Sequence, residues 1–382
     1  MKEIYLDNAA ATPIETRVLS AMAKASGFYG NPSSFNDSGR SARKEIEKSR
    51  GIIAKFLDAR PDEIVFTSSG SEANNIAIMT TLSGLKSGNV VTTPIEHQSV
   101  SNALKRSGLN IKYVSVDRYG FVDLKSFEQQ LGRQCKMVSV MYANNEIGTI
   151  EPIKKISQTI SRFNQKNGTN ILFHVDACQA ALFLDMSVQR LKVDFLTFDG
   201  CKLYGPHGIG VLYVKRGTHT QALAGWVGQE KGLKAGTENT QSIIGLAKAV
   251  ALISTKDSTK IGTVRDYAFE QLKNIPELIF NGPAGSGRLP NNINICLPKL
   301  TSEVLLLELD KYGIRAGSGS ACTSHSVEPS DVLKAIGVPP KYINGALRFS
   351  LGRDTTKKDI DYLVRVLSKI IPELKKRYAR FK

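Results

Sequence analysis

Lys202 follows an apolar run in the stretch Phe198-Asp199-Gly200-Cys201-Lys202-Leu203-Tyr204-Gly205-Pro206, and about 120 residues later Cys322 lies in Ser318-Gly319-Ser320-Ala321-Cys322-Thr323-Ser324. A lysine amine can form a Schiff base with a carbonyl cofactor, and a thiolate is a strong nucleophile. An amine that carries an electrophilic cofactor, together with a separate thiol, is the pair that removal of sulfur from cysteine requires. Gly317, Gly319 and the surrounding serines give the Cys322 segment the backbone freedom to carry a bound group outward.

Other residues extend this chemistry. Ser68-Ser69-Gly70-Ser71-Glu72-Ala73-Asn74-Asn75, between a strand-like run and a helical one, offers backbone N–H groups and hydroxyls to an anion at a helix N-terminus. The same segment fits a simple capping box, with Ser69 followed three residues later by Glu72. Asp176 closes an apolar run, where a carboxylate under a heteroaromatic ring stabilises a protonated ring nitrogen and makes the ring an electron sink. Gln179 and Asn145 add neutral hydrogen-bonding groups. His97 adds either a flat side chain for stacking or a histidine satisfied within the core.

Elements able to position these groups are legible as short apolar runs: Glu63–Phe66, Asn89–Thr92, Met137–Met141, Ile171–Val175, Phe195–Phe198 and Gly210–Val214. Strands alternating with helix-length segments predict a largely parallel sheet, whose C-terminal strand ends are where ligands collect. Ser68–Ser71, Glu96-His97, Asn144–Glu146 and Asp176–Gln179 all follow such runs. A helical pattern from about Gln241 leads into a second region with strand-like alternation at Asn291–Cys296 and helices near Glu303–Leu309 and Lys358–Ile370. The domain change is expected near residue 255.

With 382 residues, 41% hydrophobic content and 32 glycines, the chain reads as an ordinary α/β enzyme of two domains, without repeats or low-complexity tracts. No apolar stretch is long enough for a signal peptide or membrane span, so a cytoplasmic protein is expected. Five widely spaced cysteines, with no C-x-x-C pair, fit reduced thiols rather than disulfides or a zinc site, and no metal is assigned. The net charge of +16 fits either a solvated basic surface or attraction to an anionic partner.

In combination and order, several motifs are specific. They are Tyr5–Ala10, Gly30–Ser34, Ser71–Asn75, Glu96-His97, Ala143–Glu146, His174–Ala177, Gly236–Asn239, Ser320–Ser324 and Arg348–Gly352. On these the chain resembles, over nearly its whole length, a cysteine desulfurase of the pyridoxal-phosphate-dependent class V aminotransferase superfamily, the type with a long cysteine loop. The resemblance implies the aspartate aminotransferase-like α/β fold: a large domain over 15–255 with a mostly parallel sheet, and a smaller α+β domain from 1–14 and 256–382 carrying the cysteine loop. It implies that pyridoxal 5'-phosphate joins Lys202, that His97 stacks on the ring, and that Asp176 pairs with the ring nitrogen. Gln179 and Asn145 would bind the ring hydroxyl, Gly70 and Ser71 the phosphate, and Arg348, with Asn145 beside it, the substrate carboxylate. A homodimer is implied, with Thr237 reaching the neighbouring subunit's phosphate. L-cysteine would become L-alanine while Cys322 takes the sulfur as a persulfide and passes it to an acceptor protein. That sulfur would serve iron–sulfur assembly, tRNA thiolation or DNA phosphorothioation, and the positive charge favours nucleic-acid-modification machinery.

Two positions depart from the family's Ser-x-His-Lys pattern: Asp199 and Cys201 stand where serine and histidine donate to the phosphate. A carboxylate about 4 Å from a phosphate charge, at an effective dielectric of about 20, costs roughly 4 kcal/mol. Protonation, a side chain turned away, or a cation such as Lys231 or Lys234 would offset it. Cofactor binding is therefore expected to be present but weakened. The departures also keep open a cofactor-poor scaffold or sulfur-relay protein, and a selenocysteine lyase-like enzyme remains a third reading.

Overall fold

The computed structural model describes residues 3–221, 228–319 and 329–379. Its main sheet joins β2 to β8, following β1 at Ile4–Tyr5. The strands are β2 (Ile64–Thr67), β3 (Asn89–Thr92), β4 (Asn110–Tyr113), β5 (Cys135–Ser139), β6 (Leu172–Asp176), β7 (Phe195–Asp199) and β8 (Gly210–Val214). Their order across the sheet is β2-β8-β7-β6-β5-β3-β4. Only β8 runs antiparallel to its neighbours, so the C-terminal ends of β2, β3, β5, β6 and β7 share one edge.

The apolar runs are continuous because both faces of this sheet are covered. Val65, Val90, Met137, Phe195 and Leu212 pack into the cluster under the helices Gly70–Leu82 and Gln98–Arg106. Their chain neighbours Phe66, Val91, Val138, Leu196 and Val211 face the other layer, with the helices Asp37–Leu57 and Ile153–Asn167. Alternate side chains point to opposite faces, so two-sided burial favours apolar residues on both and makes the runs nearly continuous. The edge strand β4 has no such signature: Asn110 and Tyr113 are exposed, and it carries no continuous apolar run.

A second sheet orders β12 (Ala346–Ser350), β10 (Asn292–Cys296) and β9 (Ile279–Phe280), all antiparallel, and β1 pairs in parallel with β11 (Ile314–Arg315). Ile4 and Leu6 join its core, together with residues between Ile261 and Leu374. Among the described residues, no helix is long and apolar enough to cross a membrane.

Candidate active site

One cavity of about 140 Å³ opens at the shared strand edge, bounded by Gly70, Ser71, His97, Asn145, Asp176, Gln179, Lys202 and Arg348. Each arrives by a short path. β7 runs into a single 3-10 turn, Gly200–Lys202, which presents Lys202 at the cavity, where its Nζ donates to the Ala10 carbonyl. β6 ends at Asp176, a buried carboxylate whose Oδ2 accepts from Asn74 Nδ2 at 2.7 Å and whose Oδ1 accepts from the Cys178 amide at 2.9 Å. Asn74 also donates to Ser99 Oγ at 3.0 Å, and Ser99 in turn lies 2.8 Å from His97 Nδ1. The imidazole and the carboxylate are thus oriented through one shared network. Gln179 Nε2 donates to the Ala9 carbonyl at 2.9 Å.

Arg348 comes from the other sheet and is 1% exposed. Its guanidinium donates to Asp7 Oδ1 at 2.7 Å and to the Asn145 carbonyl at 3.2 Å, leaving Nε buried without a partner. Gly317 pairs its backbone with Arg348, and a Cβ there would sit 2.8 Å from the guanidinium and 2.9 Å from Asp7. Glycine is therefore required where the chain leads towards Cys322. Cys322 itself lies outside the described residues. At the far side of that segment, Ser330 donates to Glu146 Oε2 at 2.6 Å, and burial raises the pKa of Glu146.

At the helix Gly70–Leu82, both readings of the Ser-rich segment meet. Ser69 caps the helix by accepting from the Glu72 amide at 3.1 Å, and the Glu72 carboxylate accepts from Ser68. Gly70 N–H remains for an anion, and Asp199 takes it: Oδ2 accepts from Gly70 at 2.7 Å and Oδ1 from the Cys201 amide at 2.9 Å. Two backbone amides hold this carboxylate instead of a lysine. Lys231 donates to the carbonyls of Asp62 and Ile64. Burial, and then Asp199, push the Cys201 thiol up to about 12, and burial with Asp176 and Asp199 raises Cys178 well above the ordinary thiol range. Cys135 and Cys296 are pushed up to about 11 by burial. These four thiols stay protonated near neutral pH and are poor nucleophiles.

Thr237 is exposed and does not bound the cavity of its own chain. The segment before it is fixed by Glu230, whose carboxylate accepts from Arg50 at 2.8 and 2.9 Å and from the Phe66 amide at 2.8 Å.

The family model for aminotransferase class-V matches residues 4–363. The chain belongs to the class-V aminotransferase family. Within it, the chain is 41% identical to "Cysteine desulfurase IscS" of Dictyoglomus turgidum (strain DSM 6724 / Z-1310) over 384 residues, covering 98% of this chain and 96% of that protein. A solved structure described as a NifS-like protein superimposes with a TM-score of 0.89 at 32% identity, covering 97% of this chain and 100% of the other. Another, described as SspA in complex with cysteine, gives a TM-score of 0.79 at 31% identity, with 93% and 100% coverage.

Class-V aminotransferases of the desulfurase kind depend on pyridoxal 5'-phosphate, and most of the cavity fits it. An amine, a fixed carboxylate, an oriented imidazole and two amide side chains surround a space bounded by both sheets. The phosphate end fits less well, because the Gly70 N–H already carries a protein carboxylate. Sequence reasoning singled out neither Asn74, which orients Asp176, nor Asp7, the partner of Arg348. Both lie within the motifs that carried the resemblance, but 341 residues separate Asp7 from Arg348 and no local pattern predicts such a pair.

Proposed function

We propose that this class-V aminotransferase is a cysteine desulfurase that converts L-cysteine to L-alanine and hands the sulfur, held as a persulfide on Cys322, to a separate acceptor protein in the cytoplasm. The observation that carries this reading is the convergence of Lys202, Asp176, His97 and Arg348 on one cavity, with the Gly317 anchor of the cysteine segment against Arg348. The cysteine-bound neighbour and the desulfurase relatives support the same substrate.

When bound, pyridoxal 5'-phosphate supplies a carbonyl for Schiff-base formation and an electron-withdrawing ring. Lys202 would hold that carbonyl and later move protons at the substrate carbon. Asp176, braced by Asn74 and the Cys178 amide, would keep the ring nitrogen protonated. His97 would stack on the ring, Gln179 and Asn145 would bind its hydroxyl, and Gly70 with Ser71 would face its phosphate. Arg348 would hold the substrate carboxylate, sharing its fork with Asp7. Cys322 as thiolate would attack the substrate sulfur: the carbon–sulfur bond breaks, the sulfur stays on Cys322, and the carbon skeleton leaves as alanine after protonation. The described cysteines are held protonated, which leaves this role to Cys322.

We further propose a homodimer in which the exposed Thr237 reaches the partner's site, and a division into a large unit at 15–255 and a small one from 1–14 and 256–382. The two cores support that division, since Ile4 and Leu6 pack with residues beyond 260. Iron–sulfur assembly, tRNA thiolation and DNA phosphorothioation are all suitable destinations for the sulfur. Incubation with cysteine, measuring alanine and sulfide for the native chain and Cys322→Ser, tests the activity. Alanine formation lost with the thiol supports desulfuration; formation that survives points to a lyase. No turnover supports the scaffold reading, which the Asp199–Gly70 contact favours.

A further inference from the structure

The start of the helix Gly70–Leu82 and the turn Gly200–Lys202 are joined by a single carboxylate. Asp199 Oδ2 accepts from the Gly70 amide at 2.7 Å and its Oδ1 from the Cys201 amide at 2.9 Å. The side chain bounds the same cavity as Lys202. It therefore caps the turn that presents the lysine and neutralises the positive end of the helix. Gly70 is tied into this packing, since a Cβ there would meet Cys178 Sγ at 2.5 Å and Asp199 Cβ at 3.3 Å. Neither neighbouring thiol adds positive charge.

We propose that Asp199 is a resident anion occupying the cofactor's phosphate cup, so that this site binds phosphorylated and unphosphorylated pyridoxal with little discrimination. The inference rests on the pyridoxal reading of the cavity and goes beyond it by naming the residue that sets affinity for the phosphate. A ligand whose carbonyl reaches Lys202 lies in the cavity that the helix start at Gly70 and Ser71 also bounds, and those backbone donors suit its phosphate. The Gly70 N–H there is already spent on a carboxylate. The incoming phosphate must then displace Asp199 or lie beside it. A unit charge pair about 4 Å apart, at an effective dielectric of about 20, weakens binding by on the order of a hundredfold to a thousandfold.

The test titrates the native chain, Asp199→Ser and Asp199→Asn with pyridoxal 5'-phosphate and, separately, with pyridoxal, following the Schiff-base absorbance at Lys202. Serine can still cap the Cys201 amide, and asparagine keeps the size of the side chain while removing its charge. Both variants are expected to tighten binding of the phosphorylated aldehyde by about a hundredfold, with pyridoxal changed by less than about threefold. In parallel, inorganic phosphate should raise the melting temperature of Asp199→Ser and leave that of the native chain unmoved. An equal change for the two aldehydes would mean that Asp199 acts only by holding the lysine turn, and would overturn the proposal. So would a native chain that already prefers the phosphorylated aldehyde as strongly as the variants. If neither aldehyde gives an absorbance band with any of the three proteins, the pyridoxal reading falls. The phosphate melts then decide alone, an equal response of native chain and variants refuting the resident anion.

Discussion

The pair Arg50–Glu230 fixes the segment that carries Thr237, and its removal has a calculable cost. Both side chains are buried, and the carboxylate satisfies two guanidinium nitrogens and the Phe66 amide. Breaking such a pair from one side leaves a buried charge and costs about 3–5 kcal/mol. Two features pull Glu230→Leu to the lower end. Glu47 still contacts Arg50 Nε at 3.1 Å, and the left-handed backbone at Glu230 (φ 42°) and Lys231 (φ 62°) is free to relax. That conformation is worth roughly 1–2 kcal/mol per residue. The net loss for Glu230→Leu is therefore about 3 kcal/mol, as against about 4 kcal/mol for Arg50→Met, which strands the carboxylate. Removing both charges together leaves mainly the unsatisfied Phe66 amide, about 1–3 kcal/mol. In urea, at a slope of about 3 kcal/mol per molar, each single variant should unfold about 1 M earlier than the native chain. The double variant should unfold near the better single one or above it. A double-variant midpoint that falls by the sum of the two single shifts would refute the coupling.

Further outcomes follow from the same geometry. Gly70→Ala should be destabilised by about 1–3 kcal/mol through overpacking against Cys178 Sγ, and adding Cys178→Ala should recover most of that loss in thermal melts. Arg348→Lys should raise the KM for cysteine by about tenfold or more with a smaller effect on kcat, because an ammonium cannot hold Asp7 and a substrate carboxylate in one planar fork; steady-state alanine assays measure this. Burial pushes Glu96 up to about 8, so the native chain holds a proton there that the unfolded chain releases above about pH 4.5. Its contribution is full below that value and is lost as pH rises to about 8. Glu96→Gln should therefore gain on the native chain by up to about 1.4 kcal/mol per pH unit across this window. Parallel melting curves at pH 5.5 and 7.5 would exclude a titrating Glu96.

Strands buried on both faces were legible because their runs are mostly apolar, as in Gly210–Val214 and in Phe195–Phe198, where Thr197 is the polar exception. β4 was not, since Asn110–Tyr113 lies half-exposed at the sheet edge. The cavity residues were readable from strand ends and from family motifs, and Lys202, Asp176, His97, Asn145, Gln179 and Arg348 do meet in space. The partners that set their orientation were not readable. Asn74 looks like an ordinary helix residue until the sheet brings Asp176 beneath it. Asp199 illustrates the limit well: charge reasoning anticipated repulsion and offered protonation, a side chain turned away or a cation such as Lys231 or Lys234, whereas two backbone amides at the turn and the helix start hold the carboxylate at the cavity. Backbone donors carry no letter in a sequence.

The pairing of β1 with β11, and of Asp7 with Arg348, also sets an order of events during biosynthesis. The main sheet is complete once residue 214 has been made, and its helices can cover it soon after. Ala9 and Ala10, which wall the cavity, find Gln179 and Lys202 once those residues have been made, but Asp7 must wait for Arg348, which emerges 341 residues after it. At about 5–20 residues per second, that delay is roughly 20–70 seconds. For the last part of that interval, after residue 202 has been made, Lys202 stands on the ribosome in a half-site that still lacks Arg348. Completion of the cavity by Arg348 is thus among the last events of synthesis, and truncation before β12 would leave the main-sheet wall of the cavity without its guanidinium.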